Sequence, residues 1–153
     1  MPITIQQETP QHPEVVKLIQ ALDTYQQELY PPESNHLEDI ASLSRPNVYF
    51  VVARSDTEYV GCGAVINCDN IYGEMKRVFV KPEMRGRRIA ESIVEALESH
   101  LRRLEVPMMR LETGIYQTSA IRLYERMGYE RRPPFGNYTD DPLSVFMEKS
   151  LRR

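Results

Sequence analysis

The chain has 153 residues and a formal net charge of −3, with 41% hydrophobic and 27% charged residues. This length suits one domain with its own core, and the composition excludes a disordered chain. The apolar runs are only a few residues long, which excludes a membrane-spanning helix of about 20 residues. No basic segment followed by an apolar one opens the chain, so we expect no signal peptide and a cytoplasmic location. We therefore expect a single domain over residues 1–153.

The charge divides unevenly about Gly73. Residues 1–73 hold three basic and ten acidic side chains, a net charge of −7, whereas residues 74–153 hold sixteen and twelve, a net charge of +4. Such an asymmetry indicates that the second half meets an anion. The basic residues form one short loop and scattered pairs, so nucleic-acid binding is not expected.

The first half of the chain predicts a strand, two helices and three further strands. Apolar residues recur at helical spacing from Glu14 to Leu29, and Pro31 ends that helix. Ser34 is the expected N-cap of a second helix that ends near Leu43. The predicted strands are residues 3–6, 47–54, 59–67 and 71–80, of which the second and third form a hairpin.

The second half alternates helices and strands. An apolar stripe from Ile89 to Leu104 predicts a helix over about 88–105. A shorter helix is expected over about 118–127, with Gly128 as its C-terminal cap. The predicted strands are residues 108–113, 129–132 and 144–149. This order of elements predicts a mixed α/β (α+β) fold in which helices cover a central sheet.

The cysteines predict neither a disulfide nor a metal site. Cys62 and Cys68 stand in or beside one predicted strand, which would place them about 20 Å apart. The sequence has no CxxC pair and no His/Cys cluster, so we expect no bound metal. Both thiols are expected to be reduced.

The segment from Val78 to Ala90 carries the clearest chemical signal. A predicted strand ends in a short loop with one glycine and three arginines, and this loop opens the long helix. Free N–H groups at a helix N-terminus bind anions, Gly86 lets the backbone approach closely, and arginines can contact phosphate oxygens. The segment is not a P-loop, because GxxxxGK[ST] is absent. Phosphate binding is one interpretation, and a solvated basic turn is the other.

Two motifs resemble those of the GNAT superfamily of N-acetyltransferases. The run Arg85-Gly86-Arg87-Arg88-Ile89-Ala90 is similar to the family's pyrophosphate loop, Gln/Arg-x-x-Gly-x-Gly/Ala, with Arg88 where Gly is usual. Residues 123–129 resemble the family's helix ending in LYExxGF, and Gln117 stands where Asn often precedes that helix. The resemblance covers about residues 47–149. It implies a twisted, mostly antiparallel sheet of about six to seven strands, flanked by about four helices, with a splayed parallel strand pair holding the cofactor.

The resemblance implies an N-acetyltransferase that moves acetyl from acetyl-CoA to a primary amine of a small molecule. The amine would attack directly in a ternary complex, and Tyr124 would protonate the departing thiolate. Strand backbone would pair with pantetheine, and the basic loop would hold the pyrophosphate. The implied partners are acetyl-CoA and an amine acceptor, and neither a metal nor a membrane is implied. The resemblance leaves open whether the protein forms a homodimer. The implied cofactor-binding residues are Val78, Phe79, Val80, Arg85, Gly86, Arg87, Arg88, Ile89, Ala90 and Gln117.

Two glutamates compete for the role of general base. Glu74, on the same predicted strand as Phe79, is the first choice, and its alternative role is a pairing with Lys76 or Arg77. Glu112 on the neighbouring strand is the second. A carboxylate needs burial or a relaying water to take a proton from an ammonium.

The acceptor site is expected between the N-terminal helices and the last hairpin loop, as the resemblance implies. Aromatic and acidic groups there would suit an amine with an apolar body, and a solvated loop is the alternative. The alternative functions are a peptide or protein acetyltransferase and a non-catalytic acyl-CoA-binding module. The residues that these regions supply are Tyr30, Glu33, His36, Phe135, Tyr138, Asp140 and Asp141.

Overall fold

The computed structural model describes residues 2–32 and 39–152, which form one seven-stranded sheet and four α-helices. The strands are β1 (Ile3–Gln7), β2 (Val48–Ser55), β3 (Glu58–Cys68), β4 (Tyr72–Val80), β5 (Met108–Gly114), β6 (Glu130–Arg132) and β7 (Ser144–Ser150). The helices are α1 (Pro13–Leu29), α2 (Ile40–Leu43), α3 (Ile89–Arg103) and α4 (Thr118–Arg126). The predicted mixed α/β fold is confirmed, and apart from the second helix the predicted elements lie where the hydrophobic pattern indicated.

Helices cover both faces of the sheet, because alternate residues of a strand point to opposite sides. In β2, Val51 packs into the core beneath α3, whereas its neighbour Val52 packs into the core beneath α1. Both valines are at most 1% exposed. This two-sided burial explains why β2 and β3 read as nearly continuous apolar runs.

The strands lie in the order β1-β2-β3-β4-β5-β7-β6. Every neighbouring pair is antiparallel except β4 and β5, which run parallel. The mostly antiparallel sheet predicted from the resemblance is therefore confirmed. The one parallel pair lies in the middle of the sheet.

Strands β4 and β5 pair over only three residues and then separate. Their register runs from Gly73 opposite Met109 to Met75 opposite Leu111, and no pairing follows among the described residues. Strand β4 shifts register against β3 at the same level, where Arg77 has a φ of 59°. A bulge of this kind bends a strand and increases its twist. The last part of β4 thus leaves β5, which opens the sheet at its centre.

The second helix begins later than predicted. Asp39 is its N-cap, with a carboxylate oxygen 2.7 Å from the Ser42 amide, and the helix runs only from Ile40 to Leu43. An N-cap acceptor satisfies an amide that the helix leaves without an internal partner, so the chain becomes helical at Asp39. Ser34, the predicted N-cap, lies outside the described residues.

A buried acid fixes α3 against β7. Glu98 is 2% exposed, and its carboxylate accepts hydrogen bonds from the Tyr129 hydroxyl at 2.7 Å and from Lys149 Nζ at 3.0 Å. Burial and the adjacent carboxylate raise the pKa of Tyr129, so its hydroxyl remains a donor. A buried charge with these partners is satisfied and holds the two elements in register. The N-terminus of α3 is thereby held at the open centre of the sheet.

Candidate active site

A groove of about 500 Å³ lies between the end of β4 and the first turns of α3 and α4. Leu22 and Tyr25 of α1 form part of its wall. The groove therefore follows the edge that β4 presents after it leaves β5. Its lining includes Leu22, Tyr25, Val78, Phe79, Val80, Arg85, Gly86, Arg88, Ile89, Ala90, Tyr116, Gln117, Leu123, Tyr124 and Arg126.

The basic loop leaves the N-terminus of α3 accessible to a ligand. Gly86 has a φ of 84°, and nothing lies within 4 Å of the position of a Cβ there. Arg88 is the N-cap of α3 and adopts the left-handed conformation, with φ 59° and ψ 25°. No side chain caps the first turn, so its amides face outward, ready for an anion. The left-handed backbone at Arg88 explains why glycine suits this position in similar loops.

Three arginines surround this end of the groove. Arg85 and Arg88 from the loop and Arg126 from α4 line it. Arg87 is exposed like the other three but does not line the groove. Guanidinium groups beside free helix amides form a donor set suited to phosphate oxygens. The residues present therefore fit a ligand with a diphosphate. Of the loop residues 85–90 that were predicted to bind the cofactor, all except Arg87 line the groove.

The free edge of β4 forms a wall of the groove. Val78, Phe79 and Val80 line it, and Phe79 and Val80 remain paired with β3 on their other side. After Met75, β4 has no strand partner on its β5 side within residues 2–32 and 39–152. An extended ligand with amide groups can form hydrogen bonds to such an edge as an added strand would.

A second, smaller cavity of about 80 Å³ lies where β4 and β5 part. It meets the groove, because Leu22, Val78, Gln117 and Tyr124 line both. Its remaining walls come from α1 and from the two splayed strands. These further lining residues are Gln26, Tyr30, Met75, Lys76, Arg77, Leu111, Glu112, Thr113 and Gly114.

Tyr124 stands at the junction of the two cavities. Its side chain is 6% exposed, and its ring packs edge-on against Tyr129 at 5.7 Å. Burial raises the pKa of Tyr124 above its usual value of 10. Its hydroxyl has no hydrogen-bond partner among the described residues. A buried hydroxyl left in this way is uncommon and is available to a ligand.

The end of α4 holds Tyr124 in place. Gly128 has a φ of 97°, its amide bonds to the Glu125 carbonyl at 3.1 Å, and the Tyr129 amide bonds to the Tyr124 carbonyl at 2.9 Å. This pair of bonds is a Schellman motif, which needs a residue in the left-handed conformation. The prediction that Gly128 caps the helix is confirmed.

Gln117 closes the turn that begins α4. Its side-chain oxygen accepts hydrogen bonds from the Gly114 amide at 2.9 Å and from Thr113 Oγ1 at 3.2 Å. The residue lines both cavities, and its side-chain oxygen also fixes the backbone around it. Gln117 therefore shapes the junction in addition to facing it.

The two glutamates proposed as base lie in different places. Glu112 lines the small cavity, and its Oε2 accepts a hydrogen bond from Ser144 Oγ at 2.8 Å. Glu74 lines neither cavity. Its Oε2 accepts a hydrogen bond from the Tyr138 hydroxyl at 2.5 Å and lies 3.5 Å from Lys76 Nζ. The ion pair with Lys76, the alternative role considered for Glu74, is thus present.

The residues expected around the acceptor do not all face the cavities. Phe135 and Tyr138 stack edge-on with each other at 5.2 Å and with Phe146, so these loop aromatics pack on the sheet. Asp140 is exposed, and Asp141 Oδ1 accepts a hydrogen bond from the Leu143 amide. Of the expected set, Tyr30 alone lines the small cavity within the described ranges, and Glu33 and His36 lie outside them.

Several residues at the site were not predicted. Arg126 and Tyr116 line the groove, and Asp23 on α1 forms an ion pair with the buried Arg77 of β4. No local pattern in the sequence indicates the pairing of Asp23 with Arg77, because the two residues lie 54 positions apart in the chain. For Tyr116 the sequence offered one signal, its position directly before Gln117, which was itself a predicted cofactor contact.

Comparison with known proteins agrees with this geometry. The family described as "Acetyltransferase (GNAT) family" matches residues 15–129. The chain is 47% identical over 150 residues to "IAA acetyltransferase" of Azospirillum brasilense, with 97% of this chain and 98% of that protein covered. It is also 41% identical to a crystallised Klebsiella pneumoniae protein assigned as an acyl-CoA N-acyltransferase, with a TM-score of 0.84 and 98% of each chain covered.

A more distant structure shares the fold alone. The PaiA N-acetyltransferase of Thermoplasma acidophilum, solved with coenzyme A, is 16% identical, with a TM-score of 0.75 over 98% of this chain and 99% of that one. The fold and the two joined cavities define an acyltransferase of the class that uses acyl-CoA. The chain belongs to the GNAT family of acetyltransferases.

Among residues 2–32 and 39–152, no group of three or more His, Cys, Asp or Glu side chains is arranged to hold a metal ion. No helix in this part of the chain combines the length and apolarity of a bilayer-crossing segment.

Proposed function

We propose that the protein transfers an acetyl group from acetyl-CoA to a primary amine of a small molecule, by direct attack within a ternary complex. The observation that carries this proposal is the junction at Tyr124, where a groove lined by arginines and the N-terminus of α3 meets a small polar cavity. Bound acetyl-CoA supplies an activated thioester. Everything else in the reaction falls to the residues of this chain.

The groove offers a separate binding surface to each part of the cofactor. The amides of the first turn of α3, with Arg85 and Arg88, would hold the pyrophosphate. The free edge of β4 at residues 78–80 would pair with the pantetheine amides, and Gln117 would face the same arm. Arg87 would contribute through its charge rather than by contact, because it is exposed outside the groove.

Tyr124 is the proposed general acid. Burial raises its pKa, so the phenol carries its proton throughout the neutral range. Its hydroxyl lies at the junction, where a thiolate would leave, and has no competing partner within the part of the chain that the structure describes. Such a donor can protonate the thiolate as the carbon–sulfur bond breaks.

Glu112 is the proposed general base, acting directly or through a water molecule, and Glu74 stays the alternative. Glu112 lines the small cavity with Tyr124, whereas Glu74 does not line it and is bonded to Tyr138 and paired with Lys76. A base must lie within hydrogen-bond reach of the proton that it takes, directly or through one water. Proximity to the cavity therefore favours Glu112.

The cysteines support direct attack rather than a covalent enzyme intermediate. Burial raises the pKa of the Cys62 thiol to about 12, and its Sγ donates to the Arg77 carbonyl. Burial also raises the pKa of Cys68. A thiol acts as a nucleophile when it is ionised, and neither of these is activated or lines a cavity.

The size of the small cavity favours an amine on a small or slender acceptor. Its polar lining, with Gln26, Lys76, Arg77 and Glu112, suits a polar amine more than the apolar body expected from the loop aromatics. The Azospirillum relative is named an IAA acetyltransferase, so IAA belongs in the acceptor screen.

The test is calorimetric titration with acetyl-CoA, followed by a thiol-release screen of amino acids, polyamines, aminoglycosides, peptides and IAA. Arg85→Ala should weaken acetyl-CoA binding about tenfold, the value of one strong charge-assisted contact. Arg87→Ala is the matched control and should weaken it less. Absence of acetyl-CoA binding would overturn the proposal, and binding without turnover of any acceptor would favour a non-catalytic acyl-CoA-binding module.

A further inference from the structure

Tyr30 is held rigidly across the opening between β4 and β5. It follows α1 directly and is 5% exposed. Its hydroxyl oxygen accepts a hydrogen bond from the Tyr116 amide at 3.1 Å, and the two rings stack with centroids 5.5 Å apart. Its phenol also lies directly on the backbone of Gly114. These three contacts, all from residues 114–116, leave the ring little freedom to turn away.

The stacked tyrosines stand between the two cavities. Tyr30 lines the small cavity and Tyr116 lines the groove, and neither residue lines the other space. The facing wall is equally fixed, because Gln117 bonds to Thr113 and Gly114 at the end of β5. The small cavity therefore has a defined size that the Tyr30 ring limits.

We propose that Tyr30 is a specificity-determining residue that restricts the transferred acyl group to acetyl. This inference rests on the proposed function, because an acyl group reaches the small cavity only if the groove holds the CoA part of a thioester. The cavity of about 80 Å³ holds roughly five to eight water-sized groups, at about 10–15 Å³ each. It must contain both the acyl group and the acceptor nitrogen. A longer acyl chain therefore competes with the acceptor for this space, on the side that the Tyr30 ring closes.

The test compares the affinities of acetyl-CoA, propionyl-CoA and butyryl-CoA by calorimetry, without any acceptor. In the wild type, affinity should fall as the acyl chain lengthens. In Tyr30→Ala the ratio of butyryl-CoA to acetyl-CoA affinity should rise by about tenfold or more, since two methylenes at about 0.8 kcal/mol each correspond to that factor. Thiol release with an acceptor found in the screen should show the same change in preference.

Two control variants make the result specific. Tyr30→Phe keeps the ring and loses only the hydroxyl, so it should retain the preference for acetyl-CoA. Tyr25→Ala alters a tyrosine of α1 that lines the groove but not the small cavity, so it should shift all three affinities in parallel. Thermal unfolding checks each variant, and Tyr30→Leu carries the same expectation at smaller amplitude if Tyr30→Ala does not fold.

The outcomes separate the two proposals. Equal shifts for all three thioesters in Tyr30→Ala, or in Tyr30→Leu, would overturn the role of Tyr30 and leave the proposed function intact. Loss of the preference in Tyr30→Phe would also overturn it, because the size of the ring would not be the cause. A wild-type protein that binds none of the three thioesters would overturn the proposed function itself.

Discussion

The Tyr30 hydroxyl occupies the space that a side chain at position 114 would need. A Cβ built on Gly114 would lie 1.8 Å from that oxygen and 2.0 Å from the ring carbon that bears it. The Tyr30 ring is in turn fixed by the Tyr116 amide. Gly114→Ala must therefore displace the tyrosine or the end of β5. We expect it to lower the free energy of unfolding by about 1–3 kcal/mol, the usual cost of overpacking, as measured by urea denaturation.

The control for this prediction is the same substitution in a Tyr30→Ala background. With the phenol gone, Gly114→Ala has space, so its cost should fall substantially and the double-mutant cycle should show coupling between the two positions. If Gly114→Ala costs the same in both backgrounds, the overlap with Tyr30 is not the reason for the glycine.

Removing the Tyr124 hydroxyl tests its role as general acid. Tyr124→Phe should lower kcat by about 100-fold or more, a typical contribution of acid catalysis, and should leave the affinity for acetyl-CoA within about twofold. Because burial raises the pKa of Tyr124, the phenol stays protonated below pH 10. The wild-type rate should therefore show no loss from Tyr124 ionisation below that pH.

Tyr129→Phe is the matched control for Tyr124→Phe. Its hydroxyl donates to the buried Glu98, so its loss should lower the free energy of unfolding by about 1–3 kcal/mol and leave kcat nearly unchanged. Equal effects of the two substitutions on kcat and on stability would return Tyr124 to a packing role.

Arg88→Gly separates the backbone strain at the loop from the charge of the side chain. Arg88 has a φ of 59°, a conformation that glycine adopts without a steric penalty, so the substitution should raise the free energy of unfolding by about 1 kcal/mol. The same change should weaken acetyl-CoA binding several-fold, because a guanidinium that lines the groove is lost. Denaturation should thus show a higher free energy of unfolding, while calorimetry should show a lower affinity for acetyl-CoA.

Arg87→Gly is the comparison for Arg88→Gly, since Arg87 is an exposed neighbour without a positive φ. It should not stabilise the protein and should weaken binding less. A stabilised Arg88→Gly with unchanged affinity would show that the groove does not use this guanidinium.

The sequence was informative wherever the determinants are local. Helical spacing of apolar residues located α1 and α3, and the glycine at position 128 marked the end of α4, because a left-handed residue is needed there. The basic loop was recognisable for the same reason, as strand, glycine, arginines and helix follow one another directly in the chain.

Features that depend on contacts between distant residues could not be predicted. The contact of Tyr30 with Gly114 and the point at which β4 leaves β5 both follow from how the strands pair. The choice between the two candidate general bases could not be predicted for the same reason. Glu74 and Glu112 both lie on inner strands, and only the place where pairing stops decides that Glu112 faces the cavity.

The choice of base can be decided by two matched glutamine substitutions. If Glu112 takes the proton, Glu112→Gln should lower kcat by about 100-fold and remove the limb of the pH–rate profile in which activity rises as the base ionises. Glu74→Gln should retain that limb. It should instead weaken the attachment of the last hairpin loop, because Tyr138 loses a charged acceptor, and so lower the free energy of unfolding by about 1–2 kcal/mol. The reverse pattern, with the limb lost in Glu74→Gln and kept in Glu112→Gln, would assign the base to Glu74.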